Sequence, residues 1–203
     1  MKYLVGIDEV GRGPLAGPVC IGLCKFLKKN QRKIWKIIKD VKDSKKLSES
    51  ERHLWLRQMK DLRGAGVISY HTSFVSHKII DERGIAFAIR LATKRTIAKA
   101  RLTPNNCEIL LDGSIYAPKE FKNQKTIIKG DEKEPIIALA SIVAKVRRDN
   151  RMKKLAKTYP GYGFEIHKGY GTKSHILALQ KLGPSDIHRR SFITRLPNVN
   201  LAG

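Results

Sequence analysis

The chain has 203 residues, enough for one sizeable core and a small appendage. Its apolar fraction of 41% excludes a disordered chain, and 41 Lys and Arg against 18 Asp and Glu give a formal net charge of +23. A field of that sign draws in polyanions, nucleic acid foremost, while the longest apolar runs, such as IIALASIVA at 136–144, fall well short of the ~20 residues of a membrane span.

In chain order, residues 3–7 read as a buried strand that ends at Asp8, followed by a turn punctuated by Gly and Pro, GRGPLAG, and a second strand near 18–26. The apolar start is too short for a secretory leader and runs straight into charge. Cys20, Cys24 and Cys107 form no C-x-x-C and no zinc spacing. Cys20 and Cys24 share one face of the second strand as small core residues, and three unpaired Cys without a leader predict a reducing cytoplasm. Residues 27–46 are rich in Lys and include DSKK.

Ser48 with Glu51 forms a capping box for a helix to about Arg63. A third strand is predicted at 67–72 and a long helix over roughly 82–102. A short apolar strand at 108–111 ends at Asp112, and another at 126–128 leads into Gly130 and Asp131. Pro135 opens a helix that runs to Thr158, with an apolar front half. A loop rich in Gly and Tyr covers 159–171, Thr172 caps a final helix to Leu182, and the tail is irregular. Alternating strands and helices predict an α/β layer structure around one mixed sheet.

In a chain so short of acids, their placement is informative. Asp8 and Glu9 end the first strand, Asp112 ends a later one, and Asp131 follows another. Strand ends in α/β folds gather at one edge of the sheet, where ligands bind. Convergent carboxylates repel unless a cation lies between them, and hard oxygen ligands select Mg²⁺ or Mn²⁺. Two such ions about 3.5–4 Å apart clamp the attacking and leaving oxygens of a phosphoryl displacement. An acidic, metal-filled centre within a basic shell is the signature of a nuclease. An acid after a strand is more often a turn former or a helix cap, so placement alone leaves the choice open.

GIDEVGRGPLAGPV at 6–19 resembles the opening motif of the ribonuclease HII family. The similarity continues in family order through DSKKLS (43–48), LDG (111–113), KGD (129–131), IALASIVAKVRRD (137–149), YPGYGFEIHKGYGT (159–172) and HRRSF (188–192). The resemblance implies an RNase H-like fold: one catalytic domain over 1–203, with a central mixed β-sheet flanked by helices and a helical C-terminal part from about 159. It implies four catalytic, metal-binding carboxylates, which fall on Asp8, Glu9, Asp112 and Asp131. Asp149 is a second acid near the last of these and is read as a mid-helix residue pairing with Arg neighbours.

Gly11, Arg12 and Gly13 match the family element that recognises the ribonucleotide. Two glycines let the backbone approach a sugar, and exposed N–H and C=O groups then bond the 2′-OH. Tyr170 resembles the family tyrosine that stacks on the next deoxyribose, with Tyr162 as a competitor. Lys45, Lys46, Lys145, Arg148 and Lys168 are read as phosphate contacts, Ser141 as a phosphate contact or a packing residue, and His167 as structural.

The implied activity is hydrolysis of the RNA strand of RNA–DNA hybrids, including incision 5′ to a single ribonucleotide in duplex DNA, with two divalent ions and 3′-OH and 5′-phosphate products. A monomer is expected. The tail PNVNLAG lacks the aromatic pair of a sliding-clamp motif. The family often has Ala where Val10 stands, and Gly84 occupies a usual Asn position in the loosely matching 81–92 block. A junction resolvase of related architecture and a hybrid-binding protein without chemistry are the rival readings; the GRG turn argues against the first and the full set of acids against the second.

Overall fold

The computed structural model describes residues 1–39, 41 and 47–194. Five strands form one mixed sheet in the order β3-β2-β1-β4-β5: β1 (Tyr3–Val10), β2 (Val19–Leu27), β3 (Ser69–Val75), β4 (Cys107–Asp112) and β5 (Gln124–Ile127). β1, β2 and β3 are antiparallel, whereas β4 runs parallel to β1 and β5 parallel to β4.

Period-two alternation sorts the strand side chains into two cores. Val5, Ile7, Val19, Ile21, Leu23, Ile109 and Leu111 face one way and pack beneath α3 (His77–Arg83) and α4 (Ile85–Lys99). Leu4, Cys24, Phe26 and Leu110 face the other way, against α6 (Pro135–Thr158). Cys20 and Cys24 lie on this same face, buried and unpaired, as expected.

The helix opened by Pro135 spans the residues expected of it, and its front half is buried all round. One side lies on the sheet, and the other meets α1 (Gln31–Ile38) and α2 (Glu49–Gly64). The Ser48–Glu51 capping box is present at the start of α2.

The Lys-rich stretch, for which the sequence assigned no element, holds α1, preceded by a 3-10 turn at Lys28–Asn30; Ile34 and Ile38, four residues apart, anchor it, and Trp35 packs edge-on against Phe26. One expectation is corrected. The single helix over 82–102 is instead α3 and α4, broken at Gly84 with φ 78° and ψ 159°, a conformation open essentially to glycine alone.

The C-terminal part is helical, with α7 (Phe164–His167), α8 (Lys173–Leu182, capped by Thr172) and α9 (Arg190–Ile193). A four-residue helix, α5 (Gly130–Lys133), joins β5 to α6. Among the described residues no helix is long and apolar enough to cross a membrane.

Candidate metal centre and glycine turn

Gly6 and Gly22 explain why the acids meet. They sit on the α6 face of β1 and β2, and a Cβ at either would overlap the Ile136 or Ala140 backbone carbonyl. The helix therefore lies directly on the sheet backbone, which brings Ser141 against Asp8, the residue paired with Gly22. β4 keeps register with β1 up to Ile7 and Leu111. One step further, Asp8 and Asp112 occupy equivalent positions where the ladder opens.

One ligand oxygen from each of Asp8, Glu9 and Asp112 lies within 4.8 Å of the others. Asp112 Oδ1 also accepts the Gly130 amide at 2.6 Å, which fastens α5 to the end of β4. Asp131, on α5, is buried and adds its charge to the field at Asp8, but it is outside that three-residue cluster.

Burial pushes the Asp8 carboxyl well above its ordinary range, a hydrogen bond from Ser141 opposes the rise, and Glu9, Asp112 and Asp131 add to it. Burial likewise raises Glu9, against the pull of Arg12. Glu9 Oε2 is buried with no hydrogen-bond partner among the described residues. A buried orphan oxygen costs about 1–3 kcal/mol or more, and a hard cation held by carboxylates satisfies it. The residues present therefore fit a divalent ion.

Beside this centre, Arg12 Nη1 reaches Ser114 Oγ at 2.9 Å and Glu9 Oε1 at 3.4 Å. The Gly11–Arg12–Gly13 turn is held from behind. Arg189 donates to the carbonyls of Gly11 at 2.6 Å, Arg12 at 2.9 Å and Gly17 at 3.0 Å. Its role was not readable from the sequence, where HRRSF was a matched block without a derived function.

The expected phosphate contacts divide. Arg148 is corrected: it is 0% exposed, and its guanidinium donates to the carbonyls of Pro18, Lys168 and Ala16. It is a strut of the turn, with no surface for a phosphate. Lys168 is buried and donates to the Glu165 carbonyl. Lys145 holds both oxygens of Asp149 at 2.8 and 2.7 Å, so Asp149 pairs with a lysine one turn back and not with an arginine. Ser141 is buried against Asp8. Lys45 and Lys46 lie outside the described residues, as does the 197–203 tail.

Tyr170 is 39% exposed, with the Arg148 guanidinium 5.6 Å from its ring centroid. Tyr162, the competing candidate, stacks on Phe164, and its hydroxyl donates to the Gly183 carbonyl. His167 accepts the Gly169 amide on Nδ1 and bonds the Tyr162 carbonyl through Nε2, a wholly structural placement.

A family model described as Ribonuclease HII matches residues 5–195. A Ribonuclease HII of Clostridium botulinum (strain Loch Maree / Type A3) is 43% identical over 197 residues, covering 96% of this chain and 70% of the relative. That of Caldicellulosiruptor bescii is 43% identical over 196 residues, covering 96% and 88%. The crystal structure of a ribonuclease H2 from Pyrococcus horikoshii superposes with a TM-score of 0.69 at 28% identity, over 93% of each chain.

Proposed function

The chain belongs to the ribonuclease HII family, and on that footing we propose that, beyond hydrolysing the RNA strand of RNA–DNA hybrids, it incises duplex DNA on the 5′ side of a single embedded ribonucleotide. The observation that carries this reading is the meeting of Asp8, Glu9 and Asp112 beside a glycine turn whose Arg12 and Gly13 amides donate to no group among the described residues. The products are a 3′-OH and a 5′-phosphate. The 2′-OH serves recognition and takes no part in bond making.

Asp8, Glu9, Asp112 and Asp131 are the residues that would hold Mg²⁺ or Mn²⁺. When bound, two such ions supply an activated water and charge stabilisation at the leaving oxygen. The chain's own groups do the rest. Ser141 keeps Asp8 oriented and favours its ionised form. Asp112 ties the end of β4 to α5 and so fixes the position of Asp131. Arg12 spans from Glu9 to Ser114 across the mouth of the centre and offers a cation to the scissile strand. Tyr170 presents its ring to the sugar that follows the ribonucleotide. The three buried thiols, with Cys20 and Cys24 pushed up to about 12, suit a reducing cytoplasm.

The test is a DNA duplex carrying one ribonucleotide, incubated with Mg²⁺ or Mn²⁺, with the nick mapped at nucleotide resolution. A single cut immediately 5′ of the ribonucleotide is expected. Binding without a cut, or equal cutting of all-DNA junctions, would overturn the reading.

A further inference from the structure

Two adjacent residues of the turn before α9 send their side chains to the two recognition elements. Arg189 is fully buried, and among the described residues no carboxylate bridges it. Its whole fork is engaged by backbone carbonyls, with Gly11 and Arg12 accepting from Nη2 and Nη1. A planar guanidinium binds two successive carbonyls only when both turn toward it, and Gly11, at φ 93°, permits that turn. In a trans peptide the N–H points opposite to the C=O. With the Gly11 and Arg12 carbonyls drawn inward, the amides of Arg12 and Gly13 point out, and neither donates to any group among the described residues. The turn thus offers the Arg12 and Gly13 amides to a sugar hydroxyl, while its Gly11 and Arg12 carbonyls are taken up by Arg189.

His188 serves the other element. Its Nδ1 accepts the Ser185 amide at 2.9 Å, so its proton is on Nε2. That proton goes to His175 Nε2, 3.0 Å away, and leaves His175 protonated on Nδ1, which donates to the Tyr170 carbonyl at 2.9 Å. One tautomer at each ring satisfies these bonds and leaves only the longer 3.3 Å approach of His188 Nδ1 to the Ser185 carbonyl without a proton. The backbone joins the same parts: His188 bridges Ala16, the Arg189 amide donates to Leu15, and the Leu15 amide donates to Gly169.

We propose that His188–Arg189, acting through His175, is a positioning unit that fixes the spacing between the Gly11–Arg12–Gly13 turn and Tyr170, and so sets the preference for a ribonucleotide-to-deoxyribonucleotide junction. This rests on the assignment of the turn to the ribose and of Tyr170 to the next sugar. A spacer held at both ends selects substrates in which those two sugars sit one nucleotide apart. A uniform hybrid, with a ribose at every step, depends on it less.

The experiment compares kcat/KM on a single-ribonucleotide duplex and on a uniform RNA–DNA hybrid for the unmodified protein, Arg189→Lys, His175→Leu and the milder His175→Gln, each checked for its melting temperature. Arg189→Lys keeps the charge but loses the fork; His175→Leu fills the space but breaks the relay. Each is expected to lower the junction-to-hybrid ratio about tenfold or more, the scale of a sub-ångström misplacement, with His175→Gln intermediate. An equal loss on both substrates, or an unchanged ratio in a folded variant, overturns the positioning role alone. If the unmodified protein cuts the hybrid but not the single ribonucleotide, the underlying assignment fails instead.

Discussion

Asp8 lies opposite Gly22 in the β1–β2 ladder, and a side chain at Gly22 would strike the Ala140 carbonyl of α6. The position of Ser141 against Asp8 depends on that missing Cβ. Gly22→Ala is expected to push α6 outward, lower stability by about 1–3 kcal/mol and reduce cutting along with it. Gly64, the last residue of α2, has open space where a Cβ would go, so Gly64→Ala is expected to be neutral or stabilising by up to about 1 kcal/mol. Urea unfolding of the two variants separates the cases; equal destabilisation would refute the close-approach argument.

Asp112 has two duties, and two substitutions separate them. Asp112→Asn keeps an Oδ1 to accept the Gly130 amide but loses the carboxylate. Cutting is expected to fall about a thousandfold or more, corresponding to roughly 4 kcal/mol of transition-state stabilisation, with duplex binding and melting temperature nearly unchanged. Asp112→Ala also frees the Gly130 amide and is expected to lose about 1–3 kcal/mol of stability besides. Surviving activity in Asp112→Asn would remove Asp112 from the centre.

Much of this arrangement was legible in the sequence, because acids at strand ends and a Pro at a helix start act locally. Asp8, Glu9 and Asp112 could be placed at one edge of the sheet from strand endings alone. The fate of the cations could not. Arg148 and Lys145 look like surface charges in a chain of this composition, and only tertiary packing sends the first to the carbonyls of Ala16, Pro18 and Lys168 and the second to Asp149. α1 was hidden because lysines surround its two buried isoleucines. Gly84 looked like a departure from the family's Asn, yet at φ 78° and ψ 159° its backbone is one that a side chain would strain by about 1–3 kcal/mol.

A divalent ion should stabilise the fold as well as activate it. Asp8 is raised by burial and by its acidic neighbours, and Glu9 Oε2 has no partner among the described residues, so the protein without metal carries unrelieved charge. At about 100 times its Kd, Mn²⁺ is expected to add about 2.7 kcal/mol, or roughly 5–10 °C in melting temperature for a chain of this size, relative to EDTA. The gain shrinks as pH falls through the raised Asp8 value, because binding requires the ionised form. A Glu9→Gln, Asp112→Asn double variant should lose most of the gain; a full shift in that variant would place the ion elsewhere.

The histidine relay predicts an acid-sensitive fold. Burial lowers His175 to about 4, helped by His167 and opposed by its bond to the Tyr170 carbonyl. Burial lowers His188 to about 3, helped by His175, Arg190 and His167 and opposed by Ser185. Both folded values lie below the ordinary 6.5, so the unfolded chain takes up protons first as pH drops. The relay's contribution is therefore complete above pH ~6.5 and is lost toward pH ~4 for His175 and ~3 for His188, with a slope of about 1.4 kcal/mol per pH unit for each histidine. Asp8 and Glu9, raised in the folded state, work in the opposite sense and add stability as they protonate. An Asp8→Asn, Glu9→Gln background removes that opposition and is the protein to use. In it, urea unfolding at pH 7.5, 6 and 5 should show falling stability, and adding His175→Leu should flatten the fall. A slope untouched by His175→Leu would show that the two rings do not share the proton arrangement inferred from their bonds.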